Sequence, residues 1–510
     1  MSCEQVKSMG HFHPFLIVLY PILQVISVNL HECYLHEFVP HILGSLLIAV
    51  AFIHLVKRYV ECEELAAIIS STIFFAFFLY GLLADSLVGI FAPYEKQMFP
   101  LLLWFIATIT FLKLSTSSET LCNSKTKITE FFNVLSLILV GTVSFVIIKE
   151  VAALEYEPPQ FETKTIVESA IINPRNSHPD VYYIVLDGYN RGDVLKNFMS
   201  YDNSKFIENL EGLGGFVAKE SYSNYHCTLF SLNCSMNMEY LKKPAPTHNS
   251  LLKGMGQSLV ARVFERNGYE SVFICSGHHR NVFNEFDVHL QEPVTVNDFT
   301  FVTWHRTPFR PLIEYLKLNN DQRQIAGSFR YLAEQLALKK KNRKPRFVFA
   351  HILAPHRPYL FKSDGTPISL IGEVKNLSVE DAKKAYCSYL EYVNRMIIKA
   401  LSGIEKSQRP IVIIQGDHGS CLSFSVPGLK EKDRHWAALA VLNAYFVPEE
   451  LKRKLSRDTT PVNTFRLLFS HLFNMELPKL KGRAFYMNKG NMLDFVEIPV
   501  SELALRKACK

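Results

Sequence analysis

Two apolar runs in this chain each end on side chains that bind metals: VYYIVL is followed by Asp187, and PIVIIQG by Asp417 and His418. Carboxylate oxygens and imidazole nitrogens are donors for divalent ions. In open α/β sheets ligands collect beyond the carboxyl ends of the strands, so two such ends can be neighbours however far apart in sequence. The pattern suggests a metal site, although Asp-Gly at 187–188 taken alone is more often an ordinary turn. Between the runs lies SNYHCTLFSLNCSMNMEYL, where an irregular stretch passes into an amphipathic helix predicted to start near Thr228. A hydroxyl at a helix N-terminus meets unpaired N–H groups and the positive end of the dipole, which stabilise both an alkoxide and an incoming anion. Thr228 is thus a candidate nucleophile; the alternative is a plain N-cap, with Leu229, Phe230 and Leu232 as core.

Other candidates lie at further strand ends. His351 and His356 belong to the strand FVFAHI and its following loop, where Pro355 and Pro358 flank His356 at the sheet edge. His356 could meet a substrate group there, and His351 either does the same or sits beneath the site and bonds the backbone. His278, His279 and Arg280 follow SVFIC and offer cationic contacts to a phosphate, as Arg434 and His435 do after a polar loop. The ten cysteines show no C-x-x-C spacing, which argues against zinc knuckles and thioredoxin-like chemistry. The basic run KKKNRKPR at 339–346 reads as a solvated connection, with anionic head groups as the alternative partner. A net charge of +7 without any recognition motif gives no case for nucleic acid.

The elements that must hold these residues fall into two parts. With 48% hydrophobic residues and a mean hydropathy of +0.08, the chain is more apolar than a soluble enzyme of its charge. The excess lies at the front, in about five runs at roughly 14–30, 38–56, 68–91, 98–114 and 131–148, each near the length that crosses a hydrocarbon core. The first contains Pro21 and the fourth is short. The N-terminus has neither a basic region nor a small-residue cleavage site, so it does not read as a removable signal. Lys57 and Arg58 follow the second run and Lys113, Lys125 and Lys127 the fourth, while HECYLHE after the first has no Lys or Arg. The positive-inside bias then puts the N-terminus in the cytoplasm and, with an odd number of spans, everything after the fifth outside.

Residues 1–150 are therefore expected to form a transmembrane helical domain, 151–177 a juxtamembrane linker broken by Pro158 and Pro159, and 178–510 the catalytic domain. In the last part, runs at 181–186, 271–275, 346–352 and 410–415 read as buried strands. Helical spacing at 204–213, 256–267, 325–340 and 380–403 alternates with them. That alternation predicts a mainly parallel sheet covered by helices on both faces.

Asp187, the SNY…T segment ending in NMEYL, APHRPY and GDHG also occur in the order seen in the alkaline phosphatase and sulfatase superfamily, over roughly residues 178–490. The chain resembles most its membrane-anchored branch, similar to lipoteichoic acid synthase and the phosphoethanolamine transferases. The resemblance implies a sulfatase-like α/β domain in which Asp187, Thr228, Asp417 and His418 bind one divalent metal, Mn, Zn or Mg, and His356 contacts the substrate. It further implies transfer of a phospho-substituent from a membrane lipid donor to a surface glycan or lipid through Thr228, on the periplasmic or extracellular side of an inner or plasma membrane. Two departures from sulfatases favour unmodified Thr228: Cys227 is followed by Thr-Leu-Phe-Ser rather than a C-x-P-S-R-like sequence, and Asp187 by Gly188 rather than a second aspartate. A membrane-anchored sulfatase, phosphatase or phosphodiesterase, and a non-catalytic envelope-assembly module, are the rival readings.

Overall fold

All six residues of Val181–Leu186 are buried, as only a strand covered on both faces allows. This strand, β1, lies inside a seven-stranded sheet with β2 (Phe216–Val217), β3 (Glu270–Cys275), β4 (Val288–Leu290), β5 (Arg346–Ile352), β6 (Ile411–Gly416) and β7 (Asn443–Phe446). The order is β2-β7-β6-β1-β5-β3-β4. Strands β6, β1, β5, β3 and β4 run parallel, and β7 is antiparallel to both β6 and β2. The sheet is thus mixed but mostly parallel, as the alternation of strands and helices predicts. An antiparallel pair, β8 (Ala484–Met487) with β9 (Phe495–Ile498), stands apart from it. The computed structural model describes residues 10–30, 35–60, 62–86, 95–116, 118–152, 158–169, 178–242, 247–277, 282–339, 343–369, 377–405, 408–420, 422–487 and 494–506.

Side chains alternate across a strand, and this sorts the two faces of the sheet. Val181, Tyr183 and Val185 of β1, Phe347 and Phe349 of β5, and Ile411 and Ile413 of β6 join one hydrophobic cluster. The helices Thr228–Asn237, Leu259–Arg266 and Pro461–Leu472 close this face with Leu229, Phe230, Leu232, Val263, Phe264, Phe465 and Phe469. Phe349 stacks between Tyr183 at 5.5 Å and Phe273 at 5.6 Å; truncating such a buried ring costs about 3–5 kcal/mol. On the opposite face Tyr182 donates to the carbonyl of Gln335 in the helix Arg310–Ala337.

Contacts divide the chain into one unit of residues 1–155 with 294–319 and another of 156–293 with 320–510. The first holds α1 (His13–Val28), α2 (Leu35–Val60), α3 (Glu63–Phe78), α4 (Tyr80–Ser86), α5 (Glu95–Thr116) and α6 (Glu119–Ala152). The described parts of the five apolar runs fall mainly on these helices, the end of the third, at 87–91, lying outside the described residues. Among the described residues, Leu35–Val60 and Asn123–Val151 are long and apolar enough to cross a membrane, and α3 with α4, bent by 40°, makes a third span if taken together. The apolar parts of the other two, His13–Val28 and Phe99–Ser115, are shorter. At 1.5 Å per residue such helices reach only about 24–26 Å of a core about 30 Å thick.

Candidate active site and metal centre

Continuing the alternation past the strand ends builds the site. Asp187 follows Tyr183 and Val185 on the core-facing side of β1, His351 follows Phe347 and Phe349 on β5, and Asp417 follows Ile411 and Ile413 beyond β6. The register pairs Leu186 with Ile352 on one side and with Gly416 on the other, so the three carboxyl ends lie abreast. Asp187, His351 and Asp417 each offer one ligand atom, and these atoms lie within 4.8 Å of one another. Gly188 turns the chain sharply after Asp187 at φ +74°, a conformation that disfavours any side chain, and its α-carbon faces His356.

His418 completes the group. Its Nδ1 is 2.7 Å from the Gly419 carbonyl, which can only accept; the ring therefore carries its proton there and its lone pair on Nε2. That Nε2 lies 3.4 Å from Oδ1 of Asp187, 3.5 Å from Oδ2 of Asp417 and 3.1 Å from the Thr228 hydroxyl. Nε2 of His351 is 3.4 Å from the other oxygen of Asp187, and Thr228 Oγ1 is 3.5 Å from that same oxygen. Charge-assisted hydrogen bonds are about 2.7–2.9 Å long. Ligands of a tetrahedral ion, at about 2.1 Å from it, stand roughly 3.4 Å from each other. The observed spacings match the second figure. Oδ1 of Asp417 takes the N–H groups of Gly188 at 3.1 Å and His418 at 2.9 Å, while its Oδ2 and Oδ1 of Asp187 are buried without a hydrogen bond. The donor set thus fits a divalent ion.

The charges agree. Burial opposes ionisation of Asp187, yet His356, His351 and His418, when protonated, hold its carboxyl far below the usual range. Burial, and then the neighbouring Asp187 carboxylate, push Asp417 upward. A cation between them would let both acids ionise.

Thr228 is the first residue of its helix, and Cys227, in extended backbone, is the N-cap. The hydroxyl is therefore not spent on capping. Leu229, Phe230 and Leu232 are core, so the helix is held by its apolar residues while its N-terminus meets the carboxylates. Cys227 offers a poor nucleophile, since burial raises its thiol to about 11. Ser231, and Ser223 from the SNY stretch, both donate to the Asp417 carbonyl and lock the helix start to the end of β6; the Ser231 bond is 2.6 Å.

The other candidates separate. His356 is half-buried beside the site, its ring 6.1 Å from that of His418, with Nδ1 directed at the Arg357 carbonyl at 2.7 Å. His351, also read from sequence as a substrate contact, is wholly buried against Asp187, a place for a ligand and not for a surface contact. His435 pairs with Glu502 at 2.7 Å and packs on Tyr486, and Arg434 bonds the Leu429 carbonyl. His278, His279 and Arg280 lie outside the described residues. Two groups without a motif complete the frame. The Tyr386 hydroxyl donates to the Gly188 carbonyl at 2.9 Å and accepts from Asn190 N at 3.2 Å, and Asn190 Oδ1 takes the Ser420 N–H at 2.8 Å.

The Sulfatase family model matches residues 179–447, more than half of the chain. This chain belongs to the Sulfatase family. That is a family of enzymes, and the matched region contains every residue of the centre just described. No curated protein matches the chain by sequence. Among solved structures, it is similar to the integral membrane lipooligosaccharide phosphoethanolamine transferase A of Neisseria meningitidis at 12% identity and a TM-score of 0.45, over 92% of this chain and 96% of that one. It is also similar to the zinc complex of the C-terminal periplasmic domain of EptC from Escherichia coli, at 9% identity and 0.44, over 67% and 96%. A 2-O GAG sulfatase, BT1596, is matched at 13% identity and 0.36, over 60% and 77%.

Proposed function

We propose that this member of the Sulfatase family is a membrane-bound, metal-dependent transferase. It moves a phospho-substituent of the phosphoethanolamine or phosphoglycerol type from a lipid donor to a surface glycan or lipid. One observation carries the reading: an unmodified threonine hydroxyl opens a helix directly over two buried carboxylates and an imidazole. Asp187, Asp417, His418 and Thr228, with His351 beneath, would hold a Zn, Mn or Mg ion, which supplies a Lewis acid that lowers the hydroxyl pKa and offsets phosphoryl charge.

Thr228 Oγ1 attacks phosphorus, loses its proton to solvent, and the bond to the diacylglycerol oxygen breaks. His356, partly open to solvent, gives that oxygen a proton from Nε2. An acceptor hydroxyl then attacks the phosphothreonine diester, His356 takes up its proton, and Thr228 leaves and regains a proton from solvent. Helices that share the bilayer with the donor raise the local concentration of that donor. Lys57 and Arg58 at the end of α2, with Lys57 bonded to Glu63 and Lys125 paired with Glu64, mark one end of the bundle as rich in cations. The positive-inside bias supports a cytoplasmic side there and an external catalytic domain.

The test uses full-length protein in vesicles with phosphatidylethanolamine or phosphatidylglycerol as donor. Release of diacylglycerol that requires metal and Thr228 supports the proposal. Metal-dependent release of a sulfate or free phosphate from soluble esters, without diacylglycerol, supports the hydrolase reading instead.

A further inference from the structure

Residues 294–319 lie in sequence between β4 and the long helix of the sheet unit, yet they pack with the helical unit. The packing is specific. Phe299 joins Ile22 and Ile26 in one cluster, and His41 bonds both Trp304 Nε1 and the Thr300 hydroxyl at 3.0 Å. Phe309 meets Phe77 edge-on at 5.5 Å, and Trp304 lies against Phe78 at 6.3 Å. Gly81 donates to the Arg306 carbonyl at 2.8 Å so closely that a Cβ there would meet Arg306 Cβ at 2.9 Å. Arg310 bonds Asp85 at 2.7 Å.

Every one of these contacts falls near the same end of the bundle: the last turns of α1, the first of α2, the last of α3, and α4. Lys57, Arg58, Glu63, Glu64 and Lys125 gather at the other end. With the segment so anchored, four apolar side chains still point outward: Val302 is 46% exposed, Phe309 50%, Leu312 55% and Tyr315 59%. Leu312 and Tyr315 share one helix face, exposed Arg306 borders the row, and Lys317 beyond it pairs with Asp298 at 3.0 Å. On a water-facing surface such a row is a liability. Beside helices with exposed apolar faces, such a row suits the headgroup depth of a bilayer, where aromatic residues and snorkelling cations are favoured.

We propose that residues 302–315 form an in-plane interfacial anchor whose occupant is the acyl–headgroup boundary of the leaflet opposite the Lys57 end. The proposal depends on the first unit spanning a bilayer and not on the chemistry at Thr228. The sheet unit would thereby be tied to the membrane at two places in sequence, through the chain after α6 and through this excursion.

The test places p-benzoylphenylalanine singly at 309, 312 and 315 in the full chain, reconstituted in phosphatidylethanolamine–phosphatidylglycerol vesicles. Leu137, 53% exposed on α6, is the span control, and Leu213, 48% exposed in the sheet unit, is the aqueous control. Irradiation should give phospholipid-mass adducts at all three positions, at least about tenfold above Leu213. Lipid adducts at Leu137 alone would overturn the anchor while leaving the spans intact. Absence at Leu137 as well would overturn the spanning reading. Crosslinking to a second copy of the chain would replace the lipid by a protein partner and overturn the proposal.

Discussion

Nε2 of His351 lies 3.4 Å from Oδ2 of Asp187, at the ends of adjacent parallel strands whose register pairs Leu186 with Ile352. The imidazole is wholly buried in its strand, while His418, from the loop after β6, meets the Thr228 hydroxyl at the start of the helix Thr228–Asn237. His351→Gln should therefore weaken metal binding by at least about tenfold and leave the substrate KM nearly unchanged. Metal content against free-metal concentration checks this. A raised KM with normal metal affinity would return His351 to substrate binding.

Asp417→Asn removes one of the two buried acids. Metal content of the purified variant should fall to background while the fold persists, because the residue lies past the end of its strand and the Gly188 and His418 N–H groups can still be accepted by the amide oxygen. Elemental analysis together with circular dichroism reads both. Unchanged metal content would remove Asp417 from the ligand set.

His226 is buried against Tyr486, their rings 4.1 Å apart, and desolvation by burial lowers it from 6.5 to about 3. Between those values the unfolded chain binds the proton and the folded one does not. Folding stability contributed by the neutral ring is therefore full above pH 6.5 and is lost as pH falls toward about 3. Denaturant titrations should show this acid limb, and His226→Phe should flatten it. An equally steep limb in the variant would assign the loss to other groups.

Tyr386→Phe deletes a hydroxyl that bridges the Gly188 carbonyl and the Asn190 N–H in a buried turn. The orphaned groups should cost about 1–3 kcal/mol of stability, read by urea unfolding of the full chain. Turnover should fall as well, because the same turn carries Asp187.

Much of this was legible in sequence. Buried apolar runs mark β1, β3, β5 and β6, and Asp187 and Asp417 after β1 and β6 come together at one edge of the sheet with His351 at the end of β5. The place of His351 was also written there, in the alternation Phe347, Phe349, His351 that runs in phase with Tyr183, Val185, Asp187; the sequence reading left it open between a substrate contact and a residue beneath the site, since nothing around His351 distinguishes a ligand from a core residue. Tyr386 and Asn190 left no such trace, because their role exists only once a helix brings one hydroxyl onto a turn almost 200 residues away. The excursion at 294–319 was hidden for another reason. Its apolar residues are too few and too interrupted to suggest a membrane contact, and only Phe299, Trp304 and Phe309 packing on α1 to α4 reveals it.

Sidedness rests on loop charge and is checked by fusion. A reporter active only outside the cytoplasm should work when fused after residue 176 and fail near residue 60. The reverse pattern would move the catalytic domain to the cytoplasm and remove the surface acceptor with it.

The most direct measurement is the fate of Thr228. The full chain is incubated with phospholipid donor, metal and no acceptor, then digested and weighed. The peptide containing Thr228 should gain the mass of the transferred phospho-substituent, and fragmentation should locate it on the threonine. Thr228→Ala should lose the adduct and several orders of magnitude in turnover, Thr228→Ser should keep measurable activity, and Cys227→Ala should behave as the parent does. An adduct or formylglycine at Cys227, or an active Thr228→Ala variant, would contradict the transferase mechanism and favour sulfatase-like hydrolysis.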